Sequence, residues 1–306
     1  MSPALDPRHW AIGLVGYGEV GRIMAEDLRS GAVRGLLAYD SKLGGEQEAP
    51  LRRHAAALDV ELAASHGALA ARADLIISAV TASQTLAAAE RCAETLRAGT
   101  WFLDVNSASP GTKIAAAACI SAAGGRYVEG AVMTSVPPHR LRVPLLLGGP
   151  HAAALAPLLK TLGFAPSVAS ARLGVASATK MCRSVMIKGL EAMVIESFTA
   201  ARAYGVEEQV LASLVETFPG MDWEKQASYF FQRVIEHGRR RAEEMREAAL
   251  TVREAGLEAW SASATAERQA WVADLAERGI LGERKEAGQD WRIAADRLLA
   301  AVRQTT

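Results

Sequence analysis

Three glycines at positions 16, 18 and 21, in "GLVGYGEVGRIM", stand at a spacing that serves phosphate chemistry. In this G-x-G-x-x-G pattern Gly16 permits a tight turn, Gly18 lets the backbone approach a pyrophosphate, and Gly21 lets helix and strand pack closely. The helix that opens there offers unpaired N–H groups and a positive dipole end to the phosphates. Tyr17, Glu19 and Val20 therefore join the three glycines as candidate cofactor contacts. Asp40, at the end of "GLLAYD", follows Gly21 by 19 residues. A carboxylate there accepts hydrogen bonds from ribose hydroxyls and repels a 2′-phosphate, which favours NAD over NADP. Lys42, Arg52 and Arg53 bring cations close in sequence and keep NADP open. Val80 and Thr81 end another apolar run, and Asn106 and Ser107 a further one, which places all four beside the same cofactor. Asn106–Ser107 reads equally well as a helix entry before "PGTKIAAAA".

The second chemical set lies on "GVASATKMCRSVMIKGLEAM", residues 174–193. At 100° per residue Ser177, Lys180, Arg183, Ser184, Lys188 and Glu191 share an arc of roughly 140° on a helix otherwise apolar. One reading is a solvated stripe. The other is a stripe facing a cleft, where it meets a substrate. A lysine at the edge of an apolar cleft, beside a second cation, has its charged form disfavoured and suits proton exchange with an alcohol oxygen. Arg183 offers a planar fork to a substrate carboxylate, or a structural ion pair to Glu191. Arg239, Arg240 and Arg241 precede Glu243 and Glu244 and read first as a solvated helix with i,i+4 pairs. Anion binding is their lesser reading. His139 sits beside two prolines in a loop and is assigned no role.

These residues need elements to hold them. "WAIGLV", "GLLAYD", "DLIISAV", "TWFLDV", "RYVEGAV" and "VPLLLGG" read as strands, several apolar without alternation, as in a sheet covered on both faces. Helical segments alternate with them, which implies parallel crossovers and a doubly wound, mostly parallel α/β sheet. After about residue 170 strand signals stop. A helix of about 30 residues and four further helical patterns follow, an all-α region. The expected domains are 1–170, a Rossmann-type dinucleotide-binding domain, and 171–306, a helical substrate and dimerisation domain, joined by the long helix.

Composition narrows the classes. The chain has 306 residues, 34 Lys+Arg against 34 Asp+Glu, and is half hydrophobic. The charge balance argues against a nucleic-acid partner. No apolar run approaches the ~18 residues of a membrane span, and "MSPALDPRHWAIGLVG" lacks the layout of a secretory signal. Three scattered cysteines fit a reducing, cytoplasmic setting. The histidine and cysteine spacings suggest no metal site, and no GxSxG elbow occurs. Trp223, Tyr229, Phe230, Phe231, Trp260 and Trp271 suggest surplus apolar surface and hence a homodimer.

The glycine loop, "DVNSASP", "EGAVMTS", "LLLGG" and "GVASATKMCRS", in this order, resemble the β-hydroxyacid dehydrogenase family, which includes 3-hydroxyisobutyrate and 6-phosphogluconate dehydrogenases. The resemblance spans essentially the whole chain and is nearest a poorly characterised bacterial branch. It implies an active site in the cleft between two domains. It implies that Lys180 is the catalytic lysine and that Asn106 and Ser107 contact substrate. The family's Ser-Gly-Gly loop falls on Met133, Thr134 and Ser135, without its glycines. Ser184 stands where the family has asparagine, with Arg183 before it. These departures leave the reaction class and place the usual substrates in doubt. The expected function is NAD(P)-dependent hydride transfer to or from the carbinol carbon of a small hydroxy acid, with Lys180 as general acid/base. The alternatives are an imine reductase of the same architecture, which usually lacks the lysine, and a non-catalytic dinucleotide-binding protein.

Overall fold

Apolar runs with no alternation need cover on both faces, and the computed structural model, which describes residues 6–282 and 290–303, supplies it. Residues 1–5, the start of the segment screened for a secretory signal, lie outside the described residues. Eight strands form one sheet: β1 Ala11–Val15, β2 Gly35–Tyr39, β3 Glu61–Leu62, β4 Leu75–Ser78, β5 Trp101–Asp104, β6 Arg126–Val132, β7 Pro144–Gly148 and β8 Ala165–Ser170. Their order is β3-β2-β1-β4-β5-β6-β7-β8. Every described pairing is parallel except β6 with β7. Successive strand residues feed opposite faces. Ile12, Leu14, Leu75 and Ile77 enter one core, and Val15, Ile76 and Phe102 the other.

The helices of this unit are α1 Glu19–Ser30, α2 Glu48–Ala57, α3 His66–Ala70, α4 Thr85–Ala93, α5 Pro110–Ala122, α6 Val136–His139 and α7 Ala152–Thr161. The short connection 133–143 carries only α6 and a 3₁₀ turn, too little for a crossover, so β7 returns antiparallel.

The chain divides into two compact units, Met1–Met181 and Cys182–Thr306. The division falls inside α8 Val175–Tyr204, later than the 170/171 boundary expected. The physical reason is that the first turns of α8 are bonded to the sheet unit, as described below. The second unit continues with α9 Glu207–Thr217, α10 Trp223–Glu254, α11 Trp260–Glu277 and α12 Trp291–Arg303. Its core gathers Phe198, Trp223, Phe230, Phe231 and Trp291. Gly238 brings α10 close to α11, where a Cβ would lie 2.8 Å from Gln269 O. Trp223, Phe230 and Phe231 are thus core residues, not the surface apolar area expected of them, whereas Trp260 is 79% exposed. No helix among the described residues is long and apolar enough to cross a membrane.

Candidate functional site

The carboxyl ends of β1, β2, β4, β5 and β6 lie along one edge of the sheet, and most of the expected site residues emerge there. Gly16 leaves β1 at φ +93°, a conformation that favours glycine; a Cβ would sit 2.4 Å from Ala79 O. Gly21 is packed against the loop so closely that a Cβ would stand 2.1 Å from Gly16 O. Gly18 differs: a Cβ there would meet nothing within 4 Å. Gly18 also N-caps α1 without any side-chain hydrogen bond. The loop is therefore built tight at two glycines and left open at the third, with uncapped helix N–H groups behind it. Glu19 and Val20 begin α1, with Glu19 exposed.

Asp40 is 9% exposed, and its carboxylate accepts from Tyr17 N (2.8 Å) and Lys42 N (3.0 Å). Each oxygen keeps lone-pair capacity for one further donor. Tyr17 contributes only backbone to the loop surface. Its side chain is fully buried, with its hydroxyl 2.9 Å from His54 Nδ1, and burial pushes its pKa up to about 12. A cavity of about 320 Å³ opens beside β2 and β3, lined among others by Tyr39, Leu43, Glu48, Arg52, Leu62 and Ala63. Arg52 is paired with Glu48, one turn before it on α2.

Beyond β5, Asn106 is 3% exposed and its amide is used as a strut. Oδ1 accepts from Val80 N (2.7 Å) and Nδ2 donates to Ser78 Oγ (3.0 Å). The Asn106 side chain thus ties the ends of β4 and β5 together, which fixes Val80; Thr81, next along, is exposed. Ser107 is half-buried, and Lys180 Nζ donates to its Oγ at 2.6 Å across 73 residues of sequence. Met133, Thr134 and Ser135 leave β6 at the same edge; Met133 N still bonds Pro144 O, while Thr134 is exposed.

Five residues with no assigned role in the sequence hold this edge. Glu129 on β6 is fully buried; its Oε1 accepts from Ala176 N (3.1 Å) and its Oε2 from Ser177 Oγ (2.8 Å). It anchors the first turn of α8, the turn that precedes Lys180, and an anion at a helix N-terminus is favourable. Gly148 makes the room, since a Cβ there would lie 2.2 Å from Glu129 Oε1. Asp104, beside Glu129 in register, accepts from Lys113 Nζ (2.7 Å), Tyr127 Oη (2.7 Å) and Asn106 N (2.9 Å). Burial, then Asp104, pushes Tyr127 well above its ordinary range, which keeps its hydroxyl a donor. The available signal was an acidic residue ending each of two apolar runs, "FLD" and "YVE": a carboxylate buried there needs partners.

The polar stripe of α8 divides. Lys180 belongs to the sheet unit, whereas Arg183, Ser184, Lys188 and Glu191 belong to the helical one. Lys188 and Glu191 are buried within that unit, paired with Glu244 and Arg241 of α10, so neither the solvated stripe nor the cleft-facing one describes them. Burial pushes the Lys188 pKa down, against the pull of Glu244. Arg241 engages Glu191 through Nε at 2.9 Å and through Nη2 as well, so Glu191 is not the partner of Arg183, which is exposed. The three arginines also part company: Arg239 pairs with Asp274 and Glu277 of α11, Arg240 lies near Glu244, and Arg241 is buried. Arg240 fits the expected i,i+4 pattern through Glu244, whereas Arg241 is turned into the core toward Glu191 of α8.

A family model for a domain of unknown function (DUF1932) matches residues 201–272. A conserved hypothetical protein from Sinorhizobium meliloti 1021 is 36% identical, with a TM-score of 0.73 over 97% of this chain and 99% of that one. The conserved protein MTH1747, of unknown function and described as structurally similar to 3-hydroxyacid dehydrogenases, is 29% identical, with a TM-score of 0.66 over 88% and 98%. At 18% identity the fold is shared with a 3-hydroxyisobutyrate dehydrogenase from Mycobacterium tuberculosis, solved with L-serine, at a TM-score of 0.65 over 95% and 99%. A reductive aminase from Aspergillus terreus shares it at 20% identity and a TM-score of 0.55 over 95% and 99%.

Proposed function

Because the chain belongs to the β-hydroxyacid dehydrogenase family, we propose that it is a nicotinamide-dependent oxidoreductase that interconverts a small hydroxy acid and its carbonyl form. The observation that carries this reading is the Lys180 Nζ to Ser107 Oγ hydrogen bond, made at the sheet edge that also bears the glycine loop. An amine and a hydroxyl so placed suit an alcohol oxygen that must lose or gain a proton.

The residues present fit a dinucleotide. Gly18 leaves open the space a Cβ would fill, the N-terminus of α1 is uncapped by side chains, and Asp40 stands at the end of β2. Gly16, Gly18 and the N–H groups from Glu19 to Gly21 would hold the pyrophosphate. Asp40 would hold the ribose, and its carboxylate favours NAD over NADP; pairing of Arg52 with Glu48 works in the same direction. When bound, the nicotinamide supplies or takes the hydride.

The chain's own groups manage the oxygen. Ser107 and Lys180 would hydrogen-bond it. In oxidation the neutral Lys180 amine accepts the alcohol proton as the carbinol C–H leaves as hydride; in reduction the ammonium returns it. Met133, Thr134 and Ser135 would face the rest of the acid. The test is a panel of small hydroxy acids and cyclic imines with NAD(H) and NADP(H), followed by reduced-nicotinamide absorbance. Turnover of a hydroxy acid, faster with NAD, is expected. Turnover of imines alone would replace this reading with an imine reductase, and binding without any turnover would replace it with a dinucleotide sensor.

A further inference from the structure

One chain of side-chain hydrogen bonds in the sheet unit lies outside the chemistry described above. It starts inside the glycine loop. The buried Tyr17 hydroxyl is 2.9 Å from Nδ1 of His54 on α2, and the two rings meet edge-on with centroids 5.5 Å apart. His54 Nε2 is 3.0 Å from Glu26 Oε1 on α1. The other Glu26 oxygen accepts from Arg140 Nη2 (2.6 Å), and Arg140 Nε donates to Asp27 Oδ1 (2.7 Å). Asp27 Oδ2 also accepts from Leu141 N (3.1 Å).

The donors line up in one direction. Arg140, then His54, hold the Glu26 carboxyl below its ordinary range, so it is an acceptor. The proton facing it is therefore on His54 Nε2, and in the neutral imidazole Nδ1 then accepts from the Tyr17 hydroxyl. Every group in the chain then has the partner it needs. The far end is equally fixed. Arg140 has φ +55° and ψ −133°, a backbone state costly for a residue with a Cβ. Two ion pairs and the Leu141 N–H bond hold it there.

The geometry places the ends of this relay at two functional segments. Tyr17 lies between Gly16 and Gly18, and its own N–H is bonded to Asp40. Arg140 closes the segment that begins with Met133, Thr134 and Ser135. We propose that His54 is a positioning residue for the dinucleotide loop, acting through the Tyr17 hydroxyl and anchored by Glu26 and Arg140. A loop already held in its binding shape loses less freedom when a ligand arrives, so the relay acts on affinity. The inference rests on the dinucleotide reading above.

The experiment is a fluorescence titration of the full chain with NADH, paired with melting temperatures in its absence. Tyr17→Phe and His54→Leu are expected to raise Kd about threefold to tenfold, the worth of one neutral buried hydrogen bond. Tyr17→Phe removes a single oxygen atom and keeps the ring, so it reports even if His54→Leu folds poorly. His54→Gln, whose amide can accept at one end and donate at the other, should restore Kd to within about twofold of wild type. Arg140→Met should raise Kd at least about twofold, although it is remote from the glycines in sequence. Lower melting temperatures with unchanged Kd would make the relay merely structural and overturn the proposal, as would failure of His54→Gln to improve on His54→Leu. A wild type that binds no NADH would overturn the dinucleotide reading, and the proposal with it.

Discussion

Glu129 offers the sharpest test of how the sheet positions Lys180. Its carboxylate takes the Ala176 N–H and the Ser177 hydroxyl, both inside the buried first turn of α8. Glu129→Ala leaves the Ala176 N–H with no acceptor, at a cost of about 1–3 kcal/mol. It also removes an anion from a helix N-terminus, worth about 0.3–1 kcal/mol or somewhat more when buried. Ser177 keeps a bond to Gly174 O (3.1 Å), so its hydroxyl adds little. The expected loss is about 1–4 kcal/mol, part of it offset because no carboxylate need be buried. Glu129→Gln should behave differently. Its Oε1 can accept from Ala176 N–H while Nε2 donates to Ser177 Oγ, so only the charge is lost, about 1 kcal/mol. Activity should follow position. A shift of Lys180 by about 1 Å is expected to lower kcat roughly a hundredfold in Glu129→Ala, with dinucleotide affinity unchanged. Glu129→Gln should stay within about tenfold of wild type. Denaturant unfolding and steady-state rates on the three proteins decide the matter. A Glu129→Ala protein as stable and as active as wild type would refute the anchoring argument, and so would a Glu129→Gln protein as impaired as Glu129→Ala.

Gly18→Ala should fold with stability within about 1 kcal/mol of wild type, because its Cβ meets nothing, yet weaken NADH binding at least about tenfold; calorimetric titration that finds unchanged affinity would remove the pyrophosphate from this loop. In the helical unit, Glu191→Ala leaves Arg241 buried without its carboxylate and should cost about 3–5 kcal/mol in denaturant unfolding; a loss below about 1 kcal/mol would show the pair to be dispensable. Glu26 has a carboxyl held below its ordinary 4.5 by Arg140 and His54. The stability it contributes is present above 4.5 and is lost as pH falls through the lowered value. Melting temperatures from about pH 7 to about pH 3 should therefore fall more steeply in wild type than in Glu26→Gln, and equal slopes would contradict the assignment.

Much of the frame was legible because it is written in local patterns. The glycine spacing and the run "EVGRIMAEDLRS" place α1 at Glu19–Ser30, and the unbroken helical pattern after Gly174 places α8 at Val175–Tyr204. Two strands were not legible. β3 has only two residues, and β8, "APSVAS", is a mostly exposed edge with little apolar signal. Candidate residues could be picked out where a residue type carries its own chemistry, as at Gly16, Gly18, Asp40 and Lys180, and their roles remain proposals. The site was opaque where a role depends on partners far away in sequence. Lys113 stands in "PGTKIAAAA" like a lysine on a solvated helix, yet it is 1% exposed because Asp104 needs a cation. His54 sits in a polar helix and gains its place only from Tyr17 and Glu26. Lys188 and Glu191 share a face with Lys180 by helical geometry, but what they meet is set by α10, which no local period reveals.

Proton transfer by Lys180 is tested by the initial rate of Lys180→Ala relative to wild type, at saturating dinucleotide, on whichever hydroxy acid the wild type oxidises. NADH affinity should be unchanged and the rate lower by at least about a hundredfold, the share a positioned acid–base group supplies. A variant rate within about threefold of wild type would contradict that role, because the proton would then be moving by another route.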